Sequence, residues 1–409
     1  MNKDSPTRKR ILRVLFIYTL GIATGSLAWT LITHRMIRAA NLESERKRAE
    51  IRRMADEIEE RQRLQRLERI EVQPIHRKTN VEKLISFTST EELEGRRGRL
   101  REIALGPDGA AVELEVTAGD EILHRHPQLK RLPVELSVER LILTMNYDVQ
   151  SKIYHLVPEE AGNHLLIYHT GHDGFLNPKT CRVLAFLLDR RFPVALMGMP
   201  LQPGNNQPVV ECDRFGKMKL DDHEKLFLLD ERPLRFFLQP VFALLDHLDG
   251  RYESISMIGL SGGGWTTNLA AAMDTRIVAS YNVGGSIPFY LQVRNYDWVA
   301  GSEGGRPVEF YRAANYLELY VLDSTGSDPS GCPRCHRQII NLQDPVCCGG
   351  PRFETYASVV EAKAAAFGGD FRAVAFPEKQ HRVSPDALRF IVRDIQEVVD
   401  ARPAAQAGR

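Results

Sequence analysis

Residues 254–273 read SISMIGLSGGGWTTNLAAAM. The first seven, Ser254–Leu260, carry no charge and read as a fully buried strand. Trp265–Met273 is compatible with a helix, and between the two lies Gly259-Leu260-Ser261-Gly262-Gly263. This is a G-x-S-x-G pattern at a strand-to-helix turn, where a serine hydroxyl can project above a sheet. A turn that tight excludes bulk at the flanking positions, and Gly259 and Gly263 leave the room. The helix N-terminus behind Ser261 favours developing negative charge. Ser261 is therefore a candidate nucleophile.

Outward from this turn, strands and helices alternate. Arg140–Tyr147 (RLILTMNY) and Lys152–Val157 (KIYHLV) read as two strands joined by a short turn. His164–His169 (HLLIYH) and Pro193–Met199 (PVALMGM) are apolar strands, with a helix-like segment Pro178–Arg190 between them. Pro233–Leu248 is an amphipathic helix. Continuous apolar strands separated by helices imply an α/β fold whose mostly parallel sheet is covered on both faces.

A serine nucleophile needs a base, an acid and an oxyanion site, with the partners in the order Ser, acid, His. His381 follows the strand Phe371–Phe376 (FRAVAF) and precedes a helix opening at Pro385, so it is the expected base. Asp344 ends the apolar run Arg337–Leu342 (RQIINL), and one helix and one strand separate it from His381. Asp323 and Asp328 follow the other apolar run, Leu317–Leu322 (LELYVL), and are the rival acids. Asp344 is favoured because either rival leaves RQIINL as an unexplained extra strand. The strand HLLIYH runs into Thr170-Gly171-His172-Asp173-Gly174. Gly171 or His172 can supply one backbone N–H to an oxyanion, and Gly262 the other. His169, His172 and Asp173 lack a matching fourth ligand for a metal site, so neither a metal nor an organic cofactor is expected.

GLSGG at Ser261, the HTGHDG turn at Gly171 and the loop histidine His381 together resemble the α/β-hydrolase superfamily over residues 134–402. The resemblance implies an eight-stranded, mostly parallel sheet flanked by helices, and two-step acyl transfer. By that likeness Ser261 is nucleophile, His381 base and Asp344 its orienting acid. Residues 286–334 exceed a minimal hydrolase and are expected to form a lid or cap insertion. The resemblance does not fix the substrate; a small-molecule or acyl carboxylic ester is the one expected. A serine peptidase or amidase of the same fold, or a catalytically silent membrane-tethered scaffold, are the alternatives.

The N-terminal third reads differently. Residues 1–13 form a basic tail, and Val14–Thr33 runs for 20 residues without a charge. That length matches a hydrocarbon core roughly 30 Å thick, so a single transmembrane helix is expected over 14–33. Basic residues stand on both sides of this span; the catalytic domain is expected outside the cytoplasm. Residues 34–73 read as a charged helical stalk ended by Pro74, with Ile51, Met54 and Ile58 on a seam interrupted at Arg61. A homo-oligomer through this stalk is open. Residues 74–133 read as an N-terminal extension with a helix starting at Ser89-Thr90-Glu91-Glu92, and 403–409 as a tail.

Composition excludes little else. Against 54 basic residues stand 53 acidic ones, which gives no reason to expect nucleic acid as a partner. Cys332, Cys335, Cys347 and Cys348 cluster around the proposed acid. Adjacent Cys347 and Cys348 fit tetrahedral zinc awkwardly. In an oxidising compartment one or two disulfides are expected there, with buried thiols the alternative.

Overall fold

The computed structural model describes residues 34–35, 38–39, 41–62, 64–65, 70–107, 114–126, 129, 132, 134–172, 174–213, 215–292 and 308–407. The expected transmembrane helix at 14–33 lies outside the described residues. Among the described residues no helix is long and apolar enough to cross a membrane.

The chain divides into two units, Met1–Gln65 and Arg66–Arg409. In the first, residues 41–62 are helical and exposed. The ion pairs Lys47–Glu43 (2.8 Å) and Arg53–Glu57 (3.5 Å) support this helix at i,i+4 spacing. Its seam residues Ile51, Met54 and Ile58 all face solvent in the monomer.

The second unit holds one nine-stranded sheet in the order β1-β2-β3-β5-β4-β8-β9-β10-β11. The strands are β1 Glu115–Ala118, β2 Leu136–Thr144, β3 Gln150–Pro158, β4 His164–His169, β5 Val194–Met197, β8 Ser254–Leu260, β9 Ile277–Val283, β10 Cys335–Asn341 and β11 Asp370–Phe376. β6 (Val209–Cys212) and β7 (Gly216–Lys219) form a separate hairpin. β1, β2, β3 and β5 pair antiparallel, and from β5 through β11 every pairing is parallel. The expected eight strands are thus present with one more, β1, added at the edge. That strand is only four residues long and buries none of them fully, so the sequence carries no alternating signal for it.

The helices are α1 Pro74–Lys78, α2 Thr90–Leu105, α3 Glu121–Arg125, α4 Pro178–Leu188, α5 His223–Leu229, α6 Arg235–His247, α7 Gly262–Met273, α8 Val308–Ala313, α9 Tyr316–Ser324, α10 Ala357–Ala366 and α11 Pro385–Ala407. Ser89 caps α2 by accepting from Glu92 N, as the Ser-Thr-Glu-Glu run predicts. Pro74, expected to stop the stalk helix, instead opens α1 in its first turn, where a missing N–H costs nothing.

Successive strand residues feed opposite cores. Leu165 and Ile167 of β4 join a cluster with Trp265 of α7, Phe237 of α6 and Tyr320 of α9. Leu166 and Tyr168 join a second cluster with Leu184 of α4 and Ile391 of α11. Each such aliphatic side chain contributes roughly 1.5–3 kcal/mol by leaving water, which holds the sheet between its helices.

LELYVL, the apolar run that precedes the rival acids, is helical as part of α9, and every residue of α9 is buried. Asn315 caps it in a reciprocal box with Glu318, which overrides the β-leaning composition of the run. Of the expected lid segment 286–334, α9 therefore packs inside the unit against α7, while residues 293–307 lie outside the described residues. The β9 strand IVASYNV went unread because Ser280 and Asn282 interrupt its apolar run.

Arg334, inside the Cys332-Pro333-Arg334-Cys335 run, is fully buried. Its guanidinium donates to the carbonyls of Ile277, Ala271 and Thr325 at 2.8, 2.6 and 2.8 Å. It thereby satisfies backbone acceptors at the C-terminal ends of α7 and α9, which lack intrahelical partners, and at Thr325 O it is joined by Arg97 at 2.8 Å. Burial, then the nearby Arg97 cation, lowers its pKa to about 10. No disulfide joins any of the six cysteines. Burial pushes the Cys335 thiol up to about 12, which makes it a poor thiolate ligand or redox group.

Candidate active site

Ser261 stands between β8 and α7 with φ 58° and ψ −125°, a backbone conformation that L-residues rarely adopt. Such a conformation costs on the order of 1–3 kcal/mol and persists only where the surroundings impose it. Here they do. A Cβ on Gly259 would lie 2.1 Å from the Gly263 carbonyl oxygen, and one on Gly263 would lie 2.2 Å from that of His169. Strand end and helix start are packed too closely for any side chain but hydrogen at these two positions.

Asp344 and His381 meet beyond the C-terminal ends of β10 and β11. His381 Nδ1 lies 2.5 Å from Asp344 Oδ2, with Asp344 fully buried and the histidine 12 % exposed. The other carboxylate oxygen, Oδ1, accepts from Val346 N at 2.8 Å, so the acid is fixed from both sides. The loop carrying His381 is polar but not loose. Asn341 Nδ2 donates to the carbonyls of Gln380 (3.2 Å) and Arg382 (2.8 Å), on either side of the histidine. Glu378 accepts from the backbone of Lys379 and Gln380 and pairs with Arg382 at 2.8 Å.

The serine and the dyad are linked through β9. Ser261 N donates to Val283 O at 2.9 Å. The next residue, Gly284, abuts the dyad: a Cβ there would lie 3.5 Å from His381 Cε1 and 3.7 Å from Asp344 Oδ2. His381 Nε2 is buried and has no hydrogen-bond partner among the described residues. With Nδ1 engaged by Asp344, Nε2 is the nitrogen left to receive a proton.

The turn after β4 closes over the serine. A Cβ on Gly171 would lie 2.6 Å from Leu260 O, 2.7 Å from Ser261 Cβ and 3.4 Å from Gly262 N. Gly262 is the first residue of α7, so its N–H has no intrahelical partner. The His172 ring covers Gly262 together with Met199: a Cβ on Gly262 would lie 2.9 Å from His172 Cε1 and 2.7 Å from Met199 Cε. Behind the turn, buried His169 is bonded through Nδ1 to Thr170 O at 2.8 Å. Burial lowers its pKa to about 4, which keeps it neutral.

The rival acids stand elsewhere. Asp323 is sealed at the end of α9 against Ser280, His336 and Asn268. Asp328 accepts from Cys332 N and Ser330 Oγ in a turn. Neither contacts His381. Sequence reading missed the roles of Met199, Asn341 and Gly284. The adjacent Gly284-Gly285 pair was the one available signal, marking close backbone approach.

Strand order, the strained serine turn after β8, and the aspartate–histidine pair after β10 and β11 define an α/β-hydrolase fold. No protein-family model matches the chain. No curated protein sequence matches it. Among solved structures it is similar to acetyl xylan esterase 1 from Thermoanaerobacterium sp. JW/SL YS485, at 14 % identity and a TM-score of 0.49, covering 78 % of this chain and 99 % of that one. It is similar to the acetyl xylan esterase from Paenibacillus sp. R4 at 15 % identity and a TM-score of 0.48, covering 78 % and 98 %. Acylaminoacyl peptidase from Pyrococcus horikoshii follows at 13 % and 0.43, covering 68 % and 42 %.

Proposed function

We propose that the chain is a membrane-anchored serine hydrolase that cleaves carboxylic esters through Ser261, His381 and Asp344. The single observation that carries this reading is the 2.5 Å contact between Asp344 and His381 Nδ1, which leaves a buried, unpartnered Nε2 beside the strained Ser261 turn. In the first step His381 Nε2 takes the Ser261 proton while Oγ attacks the ester carbonyl. Backbone N–H groups of Gly262 and of Gly171 or His172 stabilise the oxyanion. Collapse expels the alcohol, which leaves with the proton from Nε2. Water then attacks the acyl-enzyme by the same route and releases the carboxylic acid. Asp344 holds the Nδ1 proton and stabilises the imidazolium without accepting it.

The uncharged run Val14–Thr33 supports anchoring, with the hydrolase unit outside the cytoplasm. Exposed Ile51, Met54 and Ile58 on one helix favour self-association through the stalk as a second property. Fluorophosphonate treatment of the detergent-solubilised full chain, with peptide mapping, tests the nucleophile. Modification at Ser261 that disappears in His381→Ala supports the reading. A folded protein that labels nowhere, or labels equally in Ser261→Ala, sinks it.

A further inference from the structure

Asn341 is the last residue of β10, and it bonds to both loops of the proposed relay. Its main-chain carbonyl accepts from Asp344 N at 3.1 Å, which closes the turn carrying the acid. Its buried side chain reaches the other way. Nδ2 donates to Gln380 O at 3.2 Å and to Arg382 O at 2.8 Å, the carbonyls on either side of His381. Both partners are acceptors, so only the NH2 end of the amide can face them. The other end, Oδ1, is buried and has no hydrogen-bond partner among the described residues. An orphaned acceptor costs stability, so packing alone would favour an apolar side chain at this position.

The same two residues are gripped from the other side by Glu378. Its carboxylate accepts from Gln380 N at 2.8 Å and from Arg382 Nε and Nη2 at 3.0 and 2.8 Å. The acid and base loops are also joined directly past the strand ends. Leu342 N donates to Phe376 O at 2.9 Å, and Gln343 N to Glu378 O at 3.0 Å. The main chain of His381 is thus held on both flanks, while its ring is held through Nδ1 by Asp344.

We propose that Asn341 and Glu378 form a two-sided clamp that positions His381, with Asn341 as the principal positioning residue because it also fixes the turn of Asp344. The inference rests on the relay of Ser261, His381 and Asp344. Neither clamp residue moves a proton; each acts through the place it gives the imidazole. Loosening the clamp therefore lowers the rate of the chemical step and leaves substrate binding alone.

Steady-state hydrolysis of a soluble aryl ester by the detergent-solubilised full chain tests this, with circular dichroism as the fold check. Asn341→Asp is nearly isosteric but turns an oxygen toward the two carbonyls. Asn341→Leu keeps a similar volume and has no donor. Both should lower kcat about a hundredfold with KM unchanged, the size expected when a reacting group shifts by about an ångström. Glu378→Ala leaves the buried grip in place and should lower kcat by less, again without moving KM; it lies in a loop and stays readable if the buried variants fail to fold. Parental kcat in Glu378→Ala, or in a folded Asn341→Leu, overturns the clamp. So does a variant that lowers only the unfolding midpoint, because the contacts are then structural alone. His381→Ala and Asp344→Asn in the same assay separate the two failures. If these also keep parental kcat, the relay itself fails; if they abolish hydrolysis while the clamp variants do not, only the clamp fails.

Discussion

The proposed relay of Ser261, His381 and Asp344 and a second, sealed trio of the same residue types differ in how their partners are arranged around the imidazole. At the sheet edge, Asp344 engages His381 Nδ1 and leaves Nε2 buried without a partner among the described residues. Inside the unit, His336 Nδ1 lies 2.8 Å from both Asp323 Oδ2 and Ser280 Oγ, and Ser280 Oγ itself donates to Asp323 Oδ1 at 2.5 Å. Its serine already gives its proton to the carboxylate, so the imidazole has none to take. The His336 ring is stacked on Tyr320 and Phe371, each with ring centroids at 5.7 Å, and both His336 and Asp323 are fully buried. Residue types alone therefore do not make a relay; the acid and the hydroxyl must sit at opposite nitrogens, with room for a substrate between.

The largest effect that could break this contrast is catalytic. Asp344→Asn replaces the acceptor that fixes the His381 tautomer, and ester hydrolysis should fall about ten-thousandfold with the fold intact. Ser261→Ala should do at least as much. Steady-state rates on a soluble aryl ester, with circular dichroism as the fold check, decide it. Asp344→Asn at near-parental rate would remove Asp344 from the relay.

The contrast also explains what was legible in the sequence. The elbow was readable because SISMIGL, the flanking glycines and the following helix are all local. Asp344 was readable from order along the chain, since one helix and one strand separate it from His381. The sealed trio was not. Asp323 lies on α9, whose LELYVL run has strand-like composition, and its helical state is set by the Asn315–Glu318 cap and by burial against α7. Ser280 lies on β9, where its hydroxyl interrupts the apolar pattern that identifies strands. Its burial is tolerated only because Asp323 and His336, 43 and 56 residues away, satisfy it. A polar residue satisfied at that distance leaves no local signature.

The sealed trio should be costly to break and irrelevant to chemistry. Asp323 offsets the buried Arg97 and Arg334 cations, and it also accepts from Asn268 Nδ2 at 3.0 Å. Asp323→Ala should destabilise the unit by about 3–5 kcal/mol, the range for removing one partner of a buried charge set. Denaturant midpoints measure this, and a loss below about 1 kcal/mol would mean that the cluster is slack. His169 stands between the two cases, sealed like His336 yet directly behind the serine turn. Its pKa is about 4 when folded and near 6.5 when unfolded. Above pH 6.5 neither state binds the proton. Between 6.5 and 4 only the unfolded state does, so stability falls as pH falls through that window, by about 3 kcal/mol in all. His169→Gln should flatten the pH dependence of the unfolding midpoint relative to the parent; an unchanged slope would assign it to other groups.

The smallest effect makes the sharpest test of independence. Ser280→Ala removes one of three donors to Asp323 and leaves His336 Nδ1 and Asn268 Nδ2 in place. A cost of about 1–2 kcal/mol follows from one buried hydrogen bond to a charged acceptor. Catalysis should not change, because nothing moves a proton through Ser280. Yet Ser280 and Val283 share β9, and Val283 O holds Ser261 N at 2.9 Å. If the fluorophosphonate rate at Ser261 drops tenfold in a well-folded Ser280→Ala chain, the sealed trio sets the register of β9 beneath the elbow. The two trios would then be one mechanical unit rather than a catalyst and a core.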